Sequence, residues 1–289
     1  MKISKGEKIF RVINTVFLLT IAAVSVFPIL NILARSLSST GGIASGKVYI
    51  TPIGFHWGGW LFILKRTNFL NSFYNSVFIT IIGTVIAIII TTLTAYALSK
   101  PYLKGRKFFI FLYIFFMVFD IGIVPNFFQI KAFGLFNSIW SLILPGLINP
   151  YYLFVLKTSL EQMPESLEEA AKIDGASYTR ILVDIVVPVS KASIATIVVF
   201  FSVNYWNKYF DALMYITDSS KKPITLFLFE LIKLSNDTEG LGDISLAATI
   251  SPEIMDASAV VLTVIPILLV YPLMQRYFTK GVMVGSIKG

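Results

Sequence analysis

The sequence predicts an all-α membrane protein with six transmembrane helices, and three observations carry that expectation. First, 56% of the 289 residues are hydrophobic and mean hydropathy is +0.78, whereas soluble domains are about 45–50% apolar. The polar residues are too few to cover such a chain in water, so lipid is part of its solvent. Second, charges are missing from runs that approach the roughly 20 residues a helix needs to cross the hydrocarbon core. Third, the segments joining those runs are polar.

Taken in order, Val12–Ala34 sets a first span at about 10–34. Its charge-free stretch exceeds the apolar region of a secretory signal, and no small-x-small site closes it, so it is expected to be retained. Thr67–Ser99 is longer than one span requires, which puts its start along the interface and the span at 73–99. Gly83, Ala87, Thr91, Ala95 and Ser99 recur there every four residues, a stripe of small side chains that lets another helix approach closely. Phe108–Ile130, broken only by Asp120, gives a span at 108–130, and Ala132–Leu156 gives one at 136–158.

The fifth run, Ala192–Asn207, has only 16 uncharged residues. Its helix is expected to continue through Lys208 and Asp211 to about Ile216, spanning 190–216. Lys208 and Asp211 are three apart and share a face, so they can pair. They either face a bundle interior or water-filled cavity, or sit at the outer interface with Lys208 snorkelling. Ala257–Gln275 gives the last span, 256–278. Pro28, Pro125, Pro145, Pro150, Pro266 and Pro272 fall in or near spans and favour kinks, which membrane helices tolerate. The whole chain, 1–289, is expected to form a single membrane domain.

The net charge of +8 is read as topology and not as nucleic-acid binding. With the N-terminus inside, the inner segments hold Lys2, Lys5, Lys8, Arg11, Lys100, Lys104, Arg106, Lys107, Lys157, Lys172, Arg180, Lys191, Arg276, Lys280 and Lys288, fifteen of the 24 basic residues. Both termini are therefore expected to be cytoplasmic. Enzyme signatures are missing. There is no cysteine, and the one histidine, His56, lies in a Trp/Gly-rich stretch and reads as an interfacial or loop residue. No GxxxxGK[ST] loop, HExxH motif or acid pair with histidine occurs, so no metal or cofactor is expected on this chain.

The informative connection is 161–188, between the fourth and fifth spans on the inner side. Pro164 suits a helix start, and Glu165, Glu168 and Glu169 favour the N-terminal end of the helix dipole. Leu167, Ala170 and Ala171 form a narrow apolar face. Gly175 ends the helix, Ser177 can cap a second one through Ile181, Leu182 and Ile185, and Pro188 ends that. The result is a helix–glycine–helix elbow. Its small face either enters a groove on a soluble partner or lies on the lipid surface.

Glu169-Ala170-Ala171, three residues, Gly175, nine residues, then Ile185-Val186-Val187-Pro188 resembles the EAA loop of ABC importer permeases, with Val187 where leucine is usual. Asn75-Ser76, Gly83-Thr84, the run Ala95 to Ser99, Asp174-Gly175-Ala176-Ser177, Trp206-Asn207, Phe210 to Leu213 and the tail from Lys280 are similar to the carbohydrate branch of that family, its multiple-sugar or polysaccharide members. The resemblance implies the type I ABC importer permease fold in a bacterial-type cytoplasmic membrane. It also implies a second, nonidentical permease, two ATPase subunits that hold ATP and magnesium, and an extracellular solute-binding protein that delivers a carbohydrate. Glu169, Ala170, Ala171, Asp174, Gly175 and Pro188 would then couple to the ATPase.

Sugars present hydroxyls and apolar ring faces. Asn204, Tyr205, Trp206, Asn207, Asp211, Asp120 and Gln129 are the candidate pathway groups; packing and interhelical hydrogen bonding are the competing roles. The outer loop, 217–252, either contacts the binding protein or merely connects. The alternatives are the same machine importing peptides or another solute, a stand-alone channel or secondary transporter, and a membrane-embedded enzyme. The missing catalytic sets disfavour the last.

Overall fold

The computed structural model describes residues 5–66, 68–119, 121–236 and 250–285. Among them there is helix and no strand. Three helices are long and apolar enough to cross a membrane, over Gly6–Ser36, Phe69–Ser99 and Pro252–Leu269; two bent helix pairs raise the number to five if each pair is one span. The chain divides into two compact units, one of Met1–Phe69 with Leu228–Ile265, the other of Leu70–Phe227 with Pro266–Gly289.

The first unit contains α1 (Lys5–Ser36), α2 (Thr40–Ala44) and α3 (Gly58–Leu64). Helix α1 keeps its charges at its ends, where Arg11 pairs with Glu7 one turn away at 2.7 Å, and runs through Pro28 without stopping. Its apolar window has no buried residue within the chain, as suits a helix whose solvent is lipid. Ser39 caps α2 by accepting from Gly42 N–H at 3.1 Å. The end of α1 is tied down by Arg35–Glu253 at 2.6 Å and by Trp60 Nε1 donating to Ser36 Oγ at 3.3 Å. His56 is exposed in the loop before α3, beside Trp57, as its sequence context suggested.

The second unit is organised on α4 (Phe69–Ser99). The small-residue stripe is its buried face: Gly83, Ala87, Thr91, Ala95 and Ser99 are all buried. Gly83 shows why the stripe is needed. A Cβ at that position would lie 2.8 Å from the ring of Tyr205. The third expected span forms as two helices, α5 (Arg106–Val118) and α6 (Ile123–Ala132), parted at Gly122, whose φ is +80°. Pro125 then falls in the first turn of α6, where its missing N–H costs nothing. Asp120 lies outside the described residues.

The fourth expected span, 136–158, is also interrupted. A short α7 (Trp140–Ile143) runs into a 3₁₀ turn at Leu144–Gly146, and α8 (Pro150–Glu161) starts afresh with Asn149 capping Tyr152 N–H at 3.2 Å. Pro145 and Pro150 explain this, since each withholds a donor a continuous helix would use. Next come α9 (Glu165–Ile173), α10 (Tyr178–Ile181), a π-helical turn (Leu182–Val186), α11 (Val187–Val189), α12 (Lys191–Trp206), α13 (Tyr209–Tyr215), α14 (Ile224–Asn236) and α15 (Pro252–Gly285). The fifth expected span thus breaks at Asn207-Lys208 and does not run unbroken to Ile216. The segment expected as an outer loop, 217–252, carries a helix, α14, and its residues 237–249 lie outside the described ones.

The segment after α13 is pinned and not free. Asn137, in the left-handed region at φ +56°, donates its N–H to Tyr215 O at 2.8 Å. Its Oδ1 accepts from Thr217 N–H at 3.1 Å and Asp218 N–H at 2.9 Å. Asn75 Nδ2 donates to Ser220 O at 2.8 Å and Lys222 O at 3.2 Å, and Ile224 N–H donates to Ser76 Oγ at 2.8 Å. Hydrogen bonds from Ser220 hold the Asp218 carboxyl below the usual carboxylate range. Asn137→Ala is expected to cost about 2 kcal/mol, from two lost side-chain bonds and a left-handed backbone that alanine tolerates poorly. Asn137→Gly, which removes the bonds but relieves the backbone, should cost about half as much. Thermal unfolding in detergent checks both values.

Candidate functional site

The elbow is built as its sequence implies, with two changes. Pro164 precedes α9, and Glu165 and Glu168 lie in the first turn. At the other end Gly175 adopts φ +78°. Its N–H donates to Lys172 O at 3.0 Å, and Ala176 N–H donates to Ala171 O at 2.9 Å, the paired bonds of a Schellman cap. Ser177 Oγ accepts from Arg180 N–H at 3.3 Å and starts α10.

The first change concerns Pro188. It does not end the second helix but sits inside α11, and the break comes at Ser190, where the chain turns by 84° into α12. The π-helical turn Leu182–Val186 explains this. A widened turn just before the proline relaxes the backbone pattern with which its ring and missing N–H would conflict.

The second change concerns Ala171, one of the three residues of the expected outward apolar face, which turns inward while Leu167 and Ala170 stay exposed. Ala171 is buried, together with Glu168, while Leu167, Glu169, Ala170, Asp174 and Gly175 are exposed. Pro188 is exposed as well. On either side of the cap, Ile173 is 86% exposed and Tyr178 60%, so two large apolar side chains stand uncovered at the tip of the elbow.

Glu168 is the residue sequence reasoning passed over. It is 4% exposed and ion-paired with Lys100, and it accepts from Tyr96 Oη at 3.4 Å. Nearby, Lys172 Nζ lies over the rings of Tyr102 (5.2 Å) and Tyr178 (5.6 Å). Burial pushes the Tyr102 phenol up, with Lys172 opposing it. A signal was present: Tyr96 and Lys100 stand one turn apart at the Ser99 end of the stripe, and Glu168 shares a helix face with Ala171.

Residues at the break in the fifth span and just beyond it line two clefts. Lys208 and Asp211 pair at 2.5 Å. A cleft of about 620 Å³ is lined by Tyr152, Asn204, Asn207, Lys208, Phe210 and Asp211 among others. A second, of about 760 Å³, is lined by Asn126, Gln129, Phe133, Pro145, Asp211 and Tyr215 among others. Asp211 borders both. Between them the clefts offer amides, a carboxylate and aromatic faces, the groups that bind polyhydroxylated ligands. Tyr205 does not reach either cleft. It is 2% exposed, its hydroxyl donates to Ile143 O at 3.0 Å, and Gly83 and Gly146 flank its ring. Trp206 is buried too, edge-on to Phe73 at 6.3 Å.

Comparison with known proteins agrees with this architecture. Residues 106–284 match the model of the family described as binding-protein-dependent transport system inner membrane component, and the chain belongs to that family. Protein LplC of Bacillus subtilis is 37% identical over 99% of this chain and 97% of its own length. The polygalacturonan/rhamnogalacturonan transport system permease protein YtcP, also of Bacillus subtilis, is 38% identical over 98% and 99%. A chain from a bacterial ABC transporter involved in the import of the acidic polysaccharide alginate superposes with a TM-score of 0.86 at 31% identity, covering 96% of this chain and 99% of that one. The fold is that of a type I ABC importer permease. The chain is a transport component of a membrane, not an enzyme.

Proposed function

We propose that this chain is a permease subunit of an ATP-driven importer of oligosaccharides and forms half of the translocation pathway as one domain over 1–289. The observation that carries the reading is the elbow. A short helix, a left-handed glycine cap and a second helix present an uncovered apolar tip in a chain whose relatives are polysaccharide permeases. Glu169, Ala170, Asp174 and Gly175 are the outward groups that would meet an ATPase, with Ala171 and Pro188 shaping the backbone behind them. ATP and magnesium belong to that partner. A second, nonidentical permease and an extracellular solute-binding protein complete the machine.

Six spans and cytoplasmic termini in a bacterial cytoplasmic membrane are part of the same reading. Two further outlines support it: the distribution of basic residues, and the six apolar runs, three of them bent or interrupted. Asn204, Asn207, Asp211 and Gln129 are the pathway groups we favour, because they border the two clefts. Tyr205 and Trp206 fit a supporting role behind them. Asp120 stays a candidate on its sequence position alone.

The test is reconstitution with the companion permease, ATPase and binding protein, using galacturonate and alginate oligosaccharides as probes. Asn204→Ala and Gln129→Ala are each expected to lower uptake by about tenfold, roughly the 1.4 kcal/mol of one or two lost hydrogen bonds. Co-purification of the ATPase should be unchanged. A chain that transports alone as a homo-oligomer would overturn the reading.

A further inference from the structure

We propose that Glu168 is the positioning residue through which the elbow moves the second span. Lys100 and Tyr96 hold its buried carboxylate, so that α9 and the inner end of α4 shift as one body. The inference rests on the reading of 161–188 as the segment an ATPase drives.

The geometry is specific. Lys100 pairs with Oε1 of Glu168, and Tyr96 Oη lies 3.4 Å from Oε2. Both carboxylate oxygens are therefore held by side chains one turn apart, Tyr96 in the last turn of α4 and Lys100 just past its end. Lys100 Nζ also lies over the Tyr96 ring at 4.7 Å, which fixes the ammonium between ring and carboxylate. The pair is nearly out of solvent, with side chains 15% and 6% exposed. Charges so placed are held far more firmly than a surface pair, because separating them leaves each unpaired in a poorly solvated site. Lys172 above Tyr102 adds a second hold between α9 and the turn that follows α4.

What α4 does with that hold follows from its other end. It is an uninterrupted helix with no proline in it, about 36 Å long from Asn75 to Ser99 at 1.5 Å per residue. Asn75 and Ser76 grip the backbone of Ser220, Lys222 and Ile224. Between the ends, the stripe packs closely enough that Gly83 meets the Tyr205 ring of α12. A displacement of the elbow is thereby delivered to the far end of α4 and to the segment beyond the fifth span, without passing through the π-helical turn or the 84° bend at Ser190. Those breaks make the direct route from elbow to α12 compliant, whereas the route through Glu168 is short and rigid.

The experiment uses the whole reconstituted complex. The chain has no cysteine, so Tyr74→Cys, at the exposed far end of α4, carries a single nitroxide label on this subunit. Two quantities are read with and without ATP plus vanadate: nucleotide trapped on the ATPase, and the change in the label's spectrum. In the otherwise unaltered chain, trapping should change the spectrum. In Glu168→Gln and in Lys100→Met, trapped nucleotide should be unchanged and the spectral change lost. The exchanged pair Lys100→Glu with Glu168→Lys should regain it.

A spectral change that survives in both single variants would overturn the proposal, as would a label blind to trapping in the unaltered chain. So would variants that lose the ATPase, since the pair would then be an anchor and not a transmitter. Failure of the underlying elbow reading looks different: the unaltered chain would purify without any ATPase.

Discussion

Gly175→Val is expected to cut coupled transport by at least about tenfold while leaving the spans folded. The reason lies in the backbone and not in space. A Cβ at this position would meet nothing within 4 Å, yet φ is +78°. An L-residue in the left-handed region costs roughly 1–2 kcal/mol, and a β-branched one more. The cheapest relief is to rotate the residue out of that region. This undoes the Schellman bonds from Gly175 and Ala176 and lets α9 run on, so that Ile173 and Tyr178 no longer form one tip. Gly175→Asn is the discriminating companion, because asparagine enters the left-handed region readily. It should keep most of the uptake, where valine loses at least about tenfold, the equivalent of roughly 1.4 kcal/mol. Equal loss in both variants would mean that the glycine's small size against a partner, not its conformation, is what matters. Unchanged uptake in the valine variant would sink the coupling role of this turn.

The elbow was legible in the sequence because its determinants are local. A proline start, a glycine cap and a serine cap act within one or two turns and override little else. The inward face of α9 was not legible. Glu169 and Glu168 are neighbours of the same type, and only the fold, by bringing Lys100 and Tyr96 to that spot from some 70 residues away, decides which is buried. Pro188 misled for a related reason. Proline forbids a regular α-helical continuation, but a π-helical turn ahead of it lets the chain pass.

The spans show the same division. Hydropathy marks where apolar helix lies, and the stripe on α4 marks which face is buried. Neither reports that 136–158 is interrupted or that the fifth span breaks at Asn207-Lys208, because neither glycine nor proline stands at that second break. The Lys208–Asp211 pair was legible from spacing. That it borders two clefts depends on which helices surround it.

Tyr205→Ala is expected to give the largest loss of stability, about 3–5 kcal/mol, as for other large buried side chains. An apparent Tm in detergent measures it. The ring sits between two glycines: a Cβ on Gly83 would lie 2.8 Å from it and one on Gly146 3.3 Å. It also stacks on Phe201 with centroids 6.3 Å apart. Gly83→Val should be comparably harmful for the opposite reason, since the ring is held on its other side and cannot retreat. Tyr205→Phe separates the two roles the sequence allowed for this residue. It keeps the ring and removes the hydroxyl that donates to the Ile143 carbonyl at 3.0 Å. The cost should be about 1 kcal/mol in stability, with uptake nearly unchanged. A sugar-contacting hydroxyl would give the reverse pattern: a preserved Tm and a fall in uptake that grows at low substrate concentration. That result would move Tyr205 from the wall of the pathway into its lining, and would require the α4–α12 contact at Gly83 to open during transport.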